Sequence, residues 1–325
     1  MNSQPQNPPK NLPEMTLNFT LRTVREWREF LNQTQKTPWT QTFQYAIAIA
    51  KVAKQSTHMV TIDRGSQVVG LVAIQVSALG PFQSVTINRG PIWLKGQDTE
   101  KNMADFATAL QKVYPKSVFR RFRWMPEWDA EASSTLLTEE FGLKKAQQSF
   151  ETSWLNLTPT MEELRKSFGS QWRRHLSQAE RSNIEVVVDT EGRHLDVFLR
   201  NYDLFKSKKN FVAPDAVFFK HEIETALPFK DAIILWARID KCPIAGIVVM
   251  KHGTSASYRV GWNSPEGRDN QAHYLLVWNA IELLKKQSIE TFDLGGILAQ
   301  DQDTKGFNTF KLGLNGGHFK TEFFK

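Results

Sequence analysis

At 325 residues, with 41% hydrophobic and 23% charged side chains, the chain has the makeup of a soluble globular protein of one large or two ordinary domains. A formal net charge of +7 favours anionic partners such as nucleic acid, nucleotides or a phospholipid surface, and says nothing about fold. The single cysteine, Cys242, excludes an intramolecular disulfide and a cysteine-rich zinc site, and agrees with a reducing compartment.

Residues 1–14 are polar and Pro-rich, lack the apolar stretch of a secretory signal, and are expected to form a disordered tail. No run approaches the roughly 18 consecutive apolar residues that a membrane span needs. The expectation is a cytoplasmic protein that can still touch the inner membrane peripherally. Helices are predicted near Val24 to Asn32 and from Gln41 to Lys54. The β-branched runs HMVTID and QVVGLVAIQVSAL, joined by Arg64-Gly65-Ser66, predict a hairpin. SVTINRGPIWL reads as a third strand running into a Gly-Pro break, Asp98 to Tyr114 as an amphipathic helix, and VFRRFRW as a fourth strand with charge at alternating positions. A short helix from Ser134 to Phe141 and the run FETSWLNL complete this half.

The second half repeats that order. Helices near Met161 to Ser182, His194 to Ser207 and Asp215 to Leu227 lead to the strands AIILWARID, IAGIVVMKHG and SYRVGW. The loop NSPEGRDNQ follows, with Asp269 and Asn270 placed to cap the next helix. Ala272 to Leu284 carries apolar residues at spacings of three and four, with Lys285 and Lys286 in its last turn. A strand FDLGG, the helical turn GFNTFKLG and a last strand HFKTEFF close the chain. A tandem duplication of one mixed α/β unit is therefore expected, with residues 15–157 and 158–325 as its two parts. Coincidence of common elements is the other reading.

Hairpin, strand, helix, strand is the order of acyl-CoA N-acyltransferases (GNAT-like folds). In that superfamily a Gly-rich turn before the long helix offers N–H groups to a pyrophosphate. Here the turn reads VGWNSPEGRDNQA, too poor in glycine for that grip, and the matching RGPIWLKGQDTEKN has Pro91, which lacks a donor. No cofactor and no metal are expected. His273 and His318 are isolated, Cys242 precedes a Pro in a hairpin turn, and no Ser-His-Asp arrangement is visible.

The set WRRHLSQAERSNIEV, SKKNF, SYRVGW, LLVWNAIELLKK, FDLGGI and GFNTFKLGLNGG, in that order, resembles the FemABX family of peptidoglycan bridge aminoacyltransferases. The likeness is strongest from about Trp172 onward; before Asn156 only the element order and RGPIW contribute. It implies two tandem GNAT-like domains that take an amino acid from aminoacyl-tRNA, without coenzyme A. The implied acceptor is the peptide stem of a cell-wall precursor, either UDP-MurNAc-pentapeptide or a lipid-linked form.

The resemblance also implies residue roles. Lys311 matches a family lysine near the reacting ester, where an ammonium would stabilise the developing oxyanion; a surface lysine beside a Gly turn is the bland alternative. Lys208 matches a phosphate-binding position at which Arg is common; its alternative is a solvated helix end. Arg259, Trp262, Arg268, Asp293, Gly295, Gly296 and Phe310 complete the substrate-binding set that the C-terminal motifs suggest. Asp293 reads either as a general base or, better, as a carboxylate capping the Gly295-Gly296 turn. Arg165, Trp172, Arg173, Arg174 and Arg181, with Lys166, lie in one helical stretch and could track phosphates around a stacking aromatic, or simply pair with Glu162, Glu163 and Glu180. Trp124, Trp128 and Trp262 read as core, with a groove lining as the alternative. Two other classes stay open: an N-acyltransferase using acyl-CoA or another donor on a small amine or polysaccharide, and a non-enzymatic RNA-binding scaffold.

Overall fold

The computed structural model describes residues 12–128, 130–209, 213–297 and 305–325. Most of the expected tail and the Asn210-Phe211 end of SKKNF lie outside the described residues. The first half contains β1 (Met15–Asn18), α1 (Val24–Leu31), α2 (Phe43–Ala53), β2 (Ser56–Arg64), β3 (Gln67–Leu79), β4 (Phe82–Asn88), β5 (Ile92–Trp93), α3 (Glu100–Val113), β6 (Arg120–Met125), α4 (Ala130–Thr135) and β7 (Lys145–Asn156). The second contains α5 (Met161–Ser167), α6 (Ser170–Glu180), β8 (Glu185–Asp189), α7 (Leu195–Lys209), α8 (Ala216–Ala226), β9 (Ala232–Ile239), β10 (Cys242–His252) and β11 (Ser255–Asn263). It ends with α9 (Pro265–Asp269), α10 (Ala272–Lys286), β12 (Thr291–Ile297), α11 (Lys305–Leu312) and β13 (Gly317–Phe324).

Three differences from the sequence reading have local causes. The helical stretch from Met161 to Ser182 is two helices, because the Gly169 N–H donates to the Gly313 carbonyl at 2.8 Å and a Cβ there would stand 3.3 Å from that oxygen. Residues Glu185 to Asp189, passed over in the sequence, form an edge strand on β9, as their valine run allows. Asp269 and Asn270 do not cap α10. Its first turn follows Gln271 in the left-handed region, while Ser264 caps the short α9 and Pro265 opens it.

In each half an antiparallel hairpin leads to a strand that takes a parallel neighbour after a helical crossover: β4 with β6, and β11 with β12. These strands join one path, β1-β2-β3-β4-β6-β13-β7-β12-β11-β10-β9-β8, with β5 on β3. The sheet runs across residue 157, since β7 pairs with β12 and β13 and the last strand also reaches β6. Two cores cover the first half, one around Phe106 and Trp124 and a smaller one around Trp27 and Leu71. Two others cover the faces of the second: one around Trp172, Tyr258 and Leu276, the other around Phe198, Trp236 and Trp262.

A bulge in β11 decides which side chains reach which face. Val248 pairs with Val260 but Val249 with Tyr258, so Arg259 is the extra residue. Ala256 and Tyr258 enter one core; beyond the bulge Val260 and Trp262 enter the other. Were Arg259 paired in regular register instead of bulged, strict alternation would keep Tyr258, Val260 and Trp262 on one face.

Candidate functional site

Strands β11 and β12 stay paired only from Ser255 opposite Thr291 to Ser257 opposite Asp293, and then part. Past that point β11 bulges at Arg259, and β12 turns through Gly295 at φ +76°. A Cβ on Gly295 would lie 3.2 Å from the Tyr258 carbonyl and 3.3 Å from the Lys311 Nζ, so glycine serves both the backbone angle and the space. The opening between the strands is where Lys311 arrives from α11.

Lys311 is 4% exposed. Its Nζ donates to the Gly296 carbonyl at 2.8 Å and stands over the Phe307 ring at 4.1 Å. Burial, aided by the Arg259 charge and opposed by Asp293, pushes its pKa down to about 7. The amine therefore changes charge near neutrality.

Asp293, 2% exposed, is fully engaged. It accepts from Arg89 Nη1 at 2.6 Å, from Thr152 Oγ1 at 2.5 Å and from the Gly295 N–H at 2.9 Å. Burial alone would raise its pKa, but the Arg89 charge and these donors outweigh it and hold the carboxyl below its ordinary value. A group so occupied is a poor proton acceptor, and its contacts are those of an anchor for the Gly295 turn. Arg89 comes from the first half, at φ +55°, and also holds Glu127 at 2.6 and 3.0 Å. Trp154 Nε1 donates to the same Glu127 at 2.9 Å, and Lys36 stands 3.4 Å from it.

Arg259 turns to the opposite face. Its guanidinium meets the fully buried Glu222 at 2.9 and 3.0 Å, with Trp39 Nε1 donating to that carboxylate as well. Trp262, expected at the substrate, is buried beside Trp236 on this second face. The cause is the bulge, which the sequence does not announce. His252 donates to or accepts from Ser257 at 2.9 Å, and burial depresses its pKa to about 3.

The remaining expected residues are scattered. Phe310 adjoins Lys311 in sequence and packs edge-on to Tyr274 at 4.9 Å. Arg268 is exposed on α9, donating to the Asn263 carbonyl, and Lys208 is exposed near the end of α7. Trp172 is 2% exposed, packed against Phe168 and Tyr274, so the expected stacking platform is a core residue. Its place four residues from both Phe168 and Leu176 was the signal for burial. Arg165 is held by Glu180 at 2.5 Å, and Lys166 by Glu162. Arg173, Arg174 and Arg181 remain exposed. Trp124 is core, and Trp128 packs partly buried against the same cluster. Sequence reasoning missed Arg89, Glu127, Thr152 and Glu222, whose partners are 27 to 204 residues away.

The turn before α10 spends four of its N–H groups on itself. The Gly267 N–H goes to Ser264 Oγ, and those of Arg268, Asn270 and Gln271 to backbone carbonyls within the turn. A Cβ on Gly267 would meet Asn263 Oδ1 at 2.2 Å, so this glycine serves close packing. Among the described residues no group of three His, Cys, Asp or Glu is placed to hold a metal, and no helix is long and apolar enough to cross a membrane.

Residues 166–311 match the acetyltransferase (GNAT) domain family. No curated protein matches the sequence. Among solved structures, FemX is similar over 93% of this chain and 96% of its own, at 14% identity and a TM-score of 0.76. The structure of L-PGS from Bacillus licheniformis is similar over 97% and 93%, at 12% identity and a TM-score of 0.54. A tandem GNAT protein from the clavulanic acid biosynthesis pathway follows over 96% and 98%, at 11% identity and a TM-score of 0.53. The chain thus has the tandem GNAT fold of FemX, as the resemblance to the FemABX family implied, and its second half matches the acetyltransferase (GNAT) domain family.

Proposed function

We propose that the protein is an aminoacyltransferase that moves an amino acid from aminoacyl-tRNA onto the stem-peptide amine of a peptidoglycan precursor. The observation that carries this reading is Lys311, a buried amine with a pKa near 7 set in the opening between β11 and β12. A FemX-like fold over 93% of the chain supports the same reaction class, and the Gly-poor turn before α10, with four of its N–H groups bonded internally, counts against an acyl-CoA donor.

The chemistry asked of the chain is small. The acceptor amine attacks the ester carbonyl, a C–N bond forms, and a tetrahedral oxyanion develops. The Lys311 ammonium would lie against that oxygen, a buried donor of the kind worth about 3 kcal/mol when deleted from such sites. Collapse breaks the ester C–O bond, and the proton lost by the amine passes to the leaving ribose oxygen, so atoms balance without a protein base. Asp293 keeps the Gly295 turn in place; Arg89 keeps Asp293. Exposed Arg173, Arg174 and Arg181 give the donor's phosphates a basic face close in sequence to the buried Trp172.

The test is direct. Purified protein is mixed with charged tRNA and either UDP-linked pentapeptide or the lipid-linked precursor, and the peptide is weighed by mass spectrometry. Addition of one aminoacyl residue by the wild type, lost in Lys311→Ala, supports the reading. Binding of tRNA with no transfer to either precursor form overturns it in favour of an RNA-binding scaffold.

A further inference from the structure

The ends of β4 and β6 away from Arg89 form an exposed apolar tip. Leu79 closes β3 and Phe82 opens β4 directly opposite it. Parallel pairing of Gln83 with Arg120 brings Phe119 alongside, with its ring 5.8 Å from that of Phe82. Leu79 is 83% exposed, Phe82 58%, Val118 90% and Phe119 51%. Single exposed apolar residues are ordinary, but four large ones on two adjoining turns form a patch of the sort that meets a partner.

Charge and shape beside the tip narrow the choice of partner. A cavity of about 290 Å³ opens next to it, walled by Leu110, Tyr114, Phe122, Trp124 and Phe141. Its lining also contains Lys116, Arg120, Lys144 and Lys325 and no Asp or Glu. Arg120 is held there by Gln83 and the Pro115 carbonyl, while Lys116 and Lys144 are exposed. Nearby Lys112 and Lys145 are already paired with Glu14 and Glu322, and the exposed Glu139 and Glu140 precede Phe141. An apolar tip flanked by basic side chains and an apolar recess matches a bilayer interface, where acyl chains receive the tip and phosphates the cations.

We propose that this end of the first half docks onto a bilayer of anionic phospholipid. Leu79, Phe82, Val118 and Phe119 enter the interface, and Lys116, Arg120 and Lys144 meet headgroup phosphates. Phe82 and Arg89 lie seven positions apart along one strand, about 23 Å at ~3.3 Å per residue. The docking end is therefore separate from the Lys311 site, and the inference does not depend on which acyl group that site transfers.

The full chain is sedimented with phosphatidylcholine vesicles, with and without phosphatidylglycerol. Three proteins are compared: wild type, Leu79→Ser/Val118→Ser and Lys116→Glu/Lys144→Glu. All four changed side chains are exposed, so melting temperatures and transfer to a soluble nucleotide-linked acceptor should be unchanged. The proposal expects wild type to partition onto phosphatidylglycerol vesicles in a salt-sensitive way, with at least tenfold weaker partitioning for each variant. It is overturned if wild type ignores those vesicles or if either variant binds like wild type. It is also overturned if ultracentrifugation shows a dimer that Leu79→Ser/Val118→Ser dissolves, because a second copy then covers the tip. Absence of transfer in all three proteins would sink the proposed activity while leaving the vesicle result to stand by itself.

Discussion

Arg89 and Asp293 are 204 residues apart in sequence, yet the guanidinium Nη1 of one lies 2.6 Å from the carboxylate of the other, and both are buried. This pair ties the end of β4 in the first half to the turn beside Lys311 in the second. Its geometry is a shared charge: Arg89 serves Glu127 and Asp293 together, so neither carboxylate is left alone.

Breaking that pair from one side should be costly. Arg89→Met leaves the buried Asp293 without its cation and Glu127 with Lys36 alone, and a loss of about 3–5 kcal/mol in urea unfolding is expected. Adding Asp293→Asn and Glu127→Gln should recover part of it. A single variant that loses under 1 kcal/mol would show that the pair carries little.

Lys311 should oppose folding while serving the reaction. Its folded pKa of about 7 lies below the ordinary lysine value, so between pH 7 and 10 the unfolded chain binds more protons. Stability therefore rises with pH across that window, and the cost of holding the charge is full below 7. Lys311→Met should raise stability by on the order of 3 kcal/mol at pH 6 and much less at pH 10. Equal melting temperatures at both pH values would argue that the amine is well solvated.

Acid should act through His252. Its folded pKa of about 3 lies below the unfolded value, so its contribution is full above pH 6.5 and is lost as pH falls toward 3. The loss is on the order of 3 kcal/mol by pH 4. His252→Gln should flatten that limb of the stability profile, and an unchanged slope would assign acid sensitivity elsewhere, His273 being the next candidate.

The basic helix divides into structural and solvent-facing parts. Trp172→Ala should cost about 3–5 kcal/mol as a cavity. Arg173→Gln, Arg174→Gln and Arg181→Gln should leave folding intact, weaken tRNA binding, and each reduce the salt dependence of log K by about 0.7–0.9. Filter binding across a salt series measures this; three slopes equal to wild type would remove these arginines from the donor's path.

Much of the architecture was legible because its signals are local. The valine-rich hairpins, the spacing of Leu276, Ala280 and Leu284, and the repeated order of elements each follow from neighbours within a turn or two. The Gly295-Gly296 break was visible for the same reason, whereas Lys311 was singled out only by the resemblance, and its own stretch did not announce its burial. What stayed hidden depends on distant pairing. Arg89 gives no hint in its own stretch that Asp293 will meet it, and a one-residue bulge at Arg259 sends Trp262 to the far face. Trp172 misled because a tryptophan among arginines invites a nucleic-acid reading, although its spacing from Phe168 and Leu176 already placed it on the buried side.

The measurement closest to the central claim is the single-turnover rate of aminoacyl transfer, from charged tRNA to the stem peptide, as a function of pH. If the Lys311 ammonium answers the oxyanion, the wild-type rate on free enzyme falls as pH rises through about 7, and Lys311→Ala is slower by 10²–10³-fold with that limb gone. A Lys311→Ala rate equal to wild type, or a wild-type profile that keeps the same limb after the substitution, would contradict the account.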